Sequence, residues 1–153
     1  MYLKITSPNS VIFDWIIEKV TLPSENGALT ILPNHTPLVS TIKPWLISIW
    51  SDAIQREQKE FDYIFDDNKV TVSVSKGILF VDGENITIVT SAATKTPTST
   101  VEELTSQKSD IEKKIHKLRE SGWFIEEVQK WLVTLKKIEA DLELLRLQHT
   151  KTA

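Results

Sequence analysis

The spacing of polar and apolar positions changes period once along the chain, and that change divides it in two. Up to about residue 92 the pattern is that of strands. Val70, Val72 and Val74 alternate with Thr71, Ser73 and Ser75, the period of two expected when one strand face is buried and the other meets water. Ile86 and Ile88 flank Thr87 in the same way, and the preceding "VDGEN" puts Asp82-Gly83 at a hairpin turn. An apolar run from Val11 through Phe13, Trp15 and Ile17 to Val20 reads as extended chain that ends at Pro23. "SENG" follows as a turn, because Gly27 can take a positive φ that other residues resist. Short strands separated by such turns predict a β-sandwich or barrel.

The polar stretch "TKTPTST", residues 94–100, ends this pattern, and a helical period follows. Thr100 and Glu103 have the spacing of a capping box, which satisfies the free N–H groups at a helix start. Val101, Leu104, Ile111, Ile115 and Leu118 then recur at helical steps, with Lys108 as the polar interruption. Glu120-Ser121-Gly122 stops the helix, glycine being the natural residue just past a helix end. A second stripe comprises Ile125, Val128, Leu132, Leu135, Ile138, Leu142 and Leu145, widened by Trp131. Two stripes of similar length with a short connection predict an antiparallel helical hairpin. Each helix reads as having one apolar face, to be covered by its partner and one further surface. The expected fold is α+β: a β-sandwich domain over 1–93, a linker over 94–100 and an α-helical hairpin over 101–153.

Composition narrows the function classes. A chain of 153 residues can bury a core without covalent staples, and the absence of cysteine removes disulfides, thiolate nucleophiles and Cys-based zinc sites. The net charge of −3 gives no general attraction to nucleic acid or anionic lipid. Charges within 101–153 balance, so the acidic excess belongs to the N-terminal half. "MYLKITSP" lacks the basic and apolar regions of a signal peptide, and no apolar run approaches the roughly 20 residues of a membrane helix. The expectation is therefore a chain that does not itself insert into a membrane.

Chemistry-bearing residues are sparse. His35, His116 and His149 are widely separated, and neither a metalloprotease, a nucleophile-elbow nor a phosphate-loop motif is present. Asp66-Asp67-Asn68 lacks the spacing of a calcium loop and reads as a solvated turn. His35 beside Thr36 has no third group to orient it, so a structural histidine is expected. The five tryptophans have no basic patch around them and do not make a nucleic-acid platform. No catalytic residue, cofactor or metal site is expected. Lys113, Lys114, Lys117 and Arg119 cluster at the end of the first helix, where cations also suit its dipole.

The order of several motifs carries more information. "LKITSP", then "VTLPSENGALTILPNHTPLVSTIKP", then "VSKGILFVDGENITIVTSAA", then a helical hairpin, resembles the epsilon subunit of F-type ATP synthase over essentially the whole chain. The specific positions are Leu22-Pro23, Gly27, Leu32-Pro33-Asn34-His35-Thr36-Pro37-Leu38, Lys43-Pro44 and Lys76-Gly77-Ile78-Leu79. The resemblance implies a β-sandwich of about ten strands followed by two helices. It implies a non-catalytic subunit of the rotor stalk, peripheral on the cytoplasmic face of a bacterial inner membrane, that binds the gamma subunit and the c ring. It further implies that Glu25, Asn26, Gly27, Ala28 and Leu29 contact the c ring, and that Pro33, Asn34, His35 and Pro37 belong to the gamma-facing rotor surface. It also implies a hairpin that can extend toward the catalytic head and restrain ATP hydrolysis, and Lys113, Lys114, Lys117, Lys136 and Lys137 are the candidate cations to meet acidic loops there.

Three departures from the family pattern stand out. Trp45 occupies the position after Lys-Pro where a glycine is usual, so the turn there must avoid positive φ. The segment 50–67 is about a dozen residues longer than usual, predicting a protruding hairpin or loop. Ile125-Glu126-Glu127-Val128-Gln129-Lys130 lacks the arginine of the ATP-binding motif found in some relatives, so ATP sensing of that kind is not expected. Two other readings remain open from the residues: a β-sandwich adaptor with a coiled-coil tail in an unrelated assembly, and a small hydrolase built around His35.

Overall fold

The computed structural model describes residues 1–55, 63–122 and 125–152. Eleven short strands precede the hairpin among the described residues, and they form two layers. One layer is built on β3 (Lys19–Ser24), β4 (Gly27–Ile31), β6 (Trp45–Trp50) and β8 (Lys69–Val74), with β7 (Ile64–Asp66) and β11 (Ala93–Thr94) along the outer edge of β8. The other runs β5 (Leu38–Ile42), β9 (Gly77–Val81), β10 (Asn85–Thr90), β1 (Tyr2–Ser7) and β2 (Ser10–Ile16). A single pairing, Ser24 with Ile42, joins the layers at one corner. Leu3, Ile5, Phe13, Leu22, Ile47 and Leu79 are among the side chains closed off completely between them. Each such burial contributes about 1.5–3 kcal/mol relative to exposure.

Local chemistry explains the turns. Pro23 does not end the extended run but lies inside β3, opposite Ala28. Its carbonyl accepts from the Lys43 N–H at 3.0 Å, so the ring nitrogen, which points the same way, faces away from β4 and costs that ladder nothing. The β9–β10 turn is held by Asp82, whose Oδ1 accepts from the N–H of Asn85 at 2.7 Å and of Glu84 at 3.1 Å. Those bonds, with the Asn85 side chain, hold the Asp82 carboxyl below its ordinary value. Asp67 turns β7 into β8 with φ of 52°, so the Asp-Asp-Asn stretch is a hairpin turn, as expected. Trp45 begins β6 without a positive φ.

Part of the long segment 50–67 is visible. Asp52–Gln55 form one helical turn, α1, which sequence patterning did not foretell because four residues show no period. The rest of the expected protrusion, residues 56–62, lies outside the described residues. Tyr63 re-enters the core, its hydroxyl donating to the Ile12 carbonyl and its ring edge-on to Phe13. Burial, with Asp14 nearby, pushes the Tyr63 hydroxyl up to about 12.

The hairpin consists of α2 (Val101–Ser121) and α3 (Ile125–Thr152). Both halves of the predicted capping box are present: the Glu103 N–H donates to Thr100 Oγ1 at 3.2 Å, and the Thr100 N–H donates to Glu103 Oε2 at 2.9 Å. Gly122 closes α2 in the left-handed region, φ 71°. Leu104, Ile111 and Ile115 of α2 meet Ile138 and Leu145, with Val128, Trp131, Leu132, Leu135 and Leu142 packed around them, whereas Val101 and Ile125, at the start of the two expected stripes, stay exposed. Lys108, the polar interruption, reaches Glu139 across the hairpin at 3.8 Å.

Each helix was expected to have one apolar face, and α3 departs from that. It is the inner helix, packing on β8 and β6 while α2 packs on it. Ala140 and Leu144 are fully buried, and helical spacing puts them on the face of Lys137 and Asp141, toward the sheet. The half-buried strand expected at residues 70–75 is consequently buried on both faces, with Thr71 and Ser73 covered by α3. Among the described residues no helix is long and apolar enough to cross a membrane.

Candidate functional site

Two loops carry the predicted partner contacts, and both owe their shape to the motif residues. In the β3–β4 turn, Ser24 Oγ donates to the Gly27 carbonyl at 2.8 Å and Gly27 takes φ of 113°. Lys43, from the β5–β6 connection, braces the turn by donating to the Glu25 carbonyl at 3.2 Å and pairing with its carboxylate at 3.4 Å. Glu25, Asn26, Gly27 and Ala28 are exposed, while Leu29 is half-buried against the core. The loop Leu32–His35 is a tight turn: the His35 N–H donates to the Leu32 carbonyl at 3.2 Å, and Asn34 sits at φ 62°. Proline second and asparagine third is what a type II turn requires, one ring pre-setting φ and one side chain tolerating the left-handed region.

His35 Nδ1 donates to the Thr36 backbone carbonyl at 2.8 Å. That bond orders the histidine's own loop. His116 pairs with Glu120 on α2 and His149 lies near the end of α3, so the three histidines sit on three different elements. Pro33, Asn34 and Pro37 are exposed and His35 half-buried. The two loops lie at opposite ends of β4 and β5, separated by roughly 17 Å of five-residue strand. They do not form one contiguous site.

Between those ends lies a surface that reading the residues did not single out. On the outer face of β5, β9 and β10, Val39 is paired with Phe80 and Ile78 with Val89. All four are exposed, Val39 at 68% and Phe80 at 44%. An apolar patch of this kind suits a contact surface. The signal was present in "ILFV" at residues 78–81, a continuous apolar run where a one-sided strand would alternate.

The sandwich thus has two unlike flanks. The first layer turns a hydroxyl-bearing face, Ser48, Thr71 and Ser73, toward the helical hairpin. The second layer leaves its apolar face uncovered.

The ATP synthase, Delta/Epsilon chain, beta-sandwich domain family matches residues 1–96. The chain belongs to this family. The ATP synthase epsilon chain of Rickettsia felis is 32% identical over 91 residues, covering 60% of this chain and 71% of the relative. That of Sulfurovum sp. (strain NBC37-1) is 31% identical over 120 residues, covering 78% of this chain and 77% of the relative. A chain in the Euglena gracilis mitochondrial ATP synthase structure of OSCP, F1 and c-ring superposes with a TM-score of 0.67 at 16% identity. That match covers 92% of this chain and 78% of the other, and it shows a shared fold extending into the hairpin.

Within this Delta/Epsilon family member, the five lysines assigned to the hairpin have different surroundings. Lys113 and Lys117 are exposed on α2, and Lys114 lies 4.4 Å from the centre of the Trp131 ring. Lys136 pairs with Glu139 at 3.0 Å. Lys137 is turned inward, its side chain only 12% exposed, between α3 and the sheet. The structure brings these cations onto one hairpin but onto different faces of it.

Proposed function

We propose that this chain is a non-catalytic rotor-stalk subunit of an F-type ATP synthase, in which the sandwich grips the rotor and the hairpin regulates ATP hydrolysis. Family membership supports the assembly, and the two flanks of the sandwich support the division of labour. The apolar face of Val39, Ile78, Phe80 and Val89 suits a permanent neighbour, read as gamma. The braced turn Glu25–Leu29 suits the polar loops of the c ring at one end of that face, and Pro33, Asn34, His35 and Pro37 extend the gamma surface at the other. Such an arrangement holds the chain at the membrane surface through its partners.

The observation that carries this reading is the placement of the hairpin on the opposite flank. A hairpin docked there can leave without unseating the gripped face. Once extended, Lys113, Lys114, Lys117, Lys136 and Lys137 become available to acidic loops of the catalytic head. Two arrangements of comparable free energy are needed for such a switch.

Deleting residues 97–153 is expected to leave the chain in the synthase while changing the rate of ATP hydrolysis by the assembled complex. Hydrolysis assays on complexes purified with full-length and shortened chains check this. Loss of the shortened chain from the complex would show that the hairpin is needed for attachment, against the division proposed.

A further inference from the structure

The contact between hairpin and sandwich centres on a small buried polar cluster. Lys137 Nζ donates to Asp141 Oδ1 at 2.7 Å, to Thr94 Oγ1 at 2.9 Å and to Ser73 Oγ at 3.1 Å. Ser73 Oγ in turn donates to Asp141 Oδ1, closing the ring of bonds. Ser73 has no exposure at all, and the Lys137 and Asp141 side chains retain only 12% and 17%. Ala140 and Leu144 pack tightly on the same helix face.

We propose that Lys137, Asp141, Ser73 and Thr94 form a latch that fixes where the hairpin docks and holds it loosely enough to be released. The physics rests on which bonds cross the interface. Lys137 and Asp141 are both on α3, one turn apart, so their ion pair leaves with the helix and survives in water. Within this cluster it is the bonds to Ser73 and Thr94 that are broken on release, while both charges regain their hydration. Docking therefore carries a desolvation penalty that an apolar contact would not, and the buried area of Ala140 and Leu144 is offset against it. The same cluster selects one register, because a helix shifted by one turn leaves a buried charge without its hydroxyl partners. This deepens the regulatory reading above and rests on it for its purpose, but the docking step is measurable in the chain alone.

The chain has no cysteine, so fluorophores on Asn9→Cys and Glu112→Cys, both exposed sites, report docking by energy transfer in the full-length protein. Lys137→Met keeps the side-chain length and leaves Asp141 without its cation. Its docking constant is expected to fall by about tenfold or more. Ser73→Ala, which alters the sheet side and leaves the helix untouched, is expected to move docking in the same direction. The double variant Lys137→Met/Asp141→Leu removes the charges together and is expected to dock at least as tightly as the unaltered chain, since apolar replacement of a buried pair is neutral or stabilising. A docking constant for Lys137→Met within twofold of the unaltered chain would overturn the latch, as would a double variant that stays as open as the single one. If docking of Ser73→Ala, which leaves every proposed head-binding lysine in place, shifts as expected but ATP hydrolysis by the assembled synthase does not follow it, the latch stands and the regulatory reading fails.

Discussion

Phe80→Glu is expected to release the chain from the ATP synthase while leaving its fold intact. The side chain stands on the outer face of β9, beside Val39 on β5, and is 44% exposed in the isolated chain. Its environment there is already partly aqueous, so a glutamate costs the free protein little, about 0.5 kcal/mol or less. On the proposed rotor reading, the same position becomes the centre of a desolvated apolar contact. Burying an unpaired carboxylate there, and losing an aromatic anchor, is expected to weaken attachment by about 3 kcal/mol or more, over a hundredfold in affinity. Ile78→Glu is expected to act in the same direction. Circular dichroism and thermal unfolding of the free variant, set beside its yield in the purified complex, check both halves of the expectation. A variant that stays attached would move the rotor contact to another face.

Gly77→Ala is expected to be the most damaging single methyl group in the sandwich. The added Cβ would lie 2.3 Å from the Val89 carbonyl oxygen and 2.9 Å from the Thr90 Cα, both backbone atoms of the neighbouring strand. Gly77 pairs with Thr90 on one side and with Ile42 on the other, so β9 cannot move away from β10 without pressing on β5. Thr90 is itself fixed by its hydroxyl, which donates toward the carbonyls of Ser75, Lys76 and Ala92. Neither neighbour can yield like a flexible side chain, and the expected cost is about 3 kcal/mol. With urea dependences typical of small domains, the unfolding midpoint should fall by about 1–3 M. An unchanged midpoint would mean that the strands part at Gly77 without cost.

How far the sequence predicts this structure varies by element, for physical reasons. The helix ends were legible because capping is local: Thr100, Glu103 and Gly122 act within one turn. The motifs of the two loops proposed to meet partners were legible as motifs, and the structure supplies their causes. Lys43 braces Glu25, Asn34 accepts the left-handed region, and Gly77 admits a close neighbour. What could not be read were the consequences of packing between distant segments. Alternation located β8 correctly, yet Thr71 and Ser73 read as solvent-facing because their cover, α3, lies some sixty residues away. Lys137 read as a surface charge for the same reason, and with Asp141 it interrupts the second buried face that Ala140 and Leu144 share with them. The apolar outer face of β5, β9 and β10 was hidden in a different way. Val39, Ile78, Phe80 and Val89 come from three strands, and only the pairing register puts them side by side.

The central claim, that the exposed face of the second layer holds this chain in a rotor, is tested most directly by affinity capture. The tagged full-length chain, produced in its own cells, is recovered from a mild-detergent membrane extract, and its companions are identified. Gamma and the c ring are expected to be recovered with it in fixed ratio, and to be absent when the bait carries Phe80→Glu. Recovery of neither from the unaltered chain, with a properly folded bait, would contradict the account.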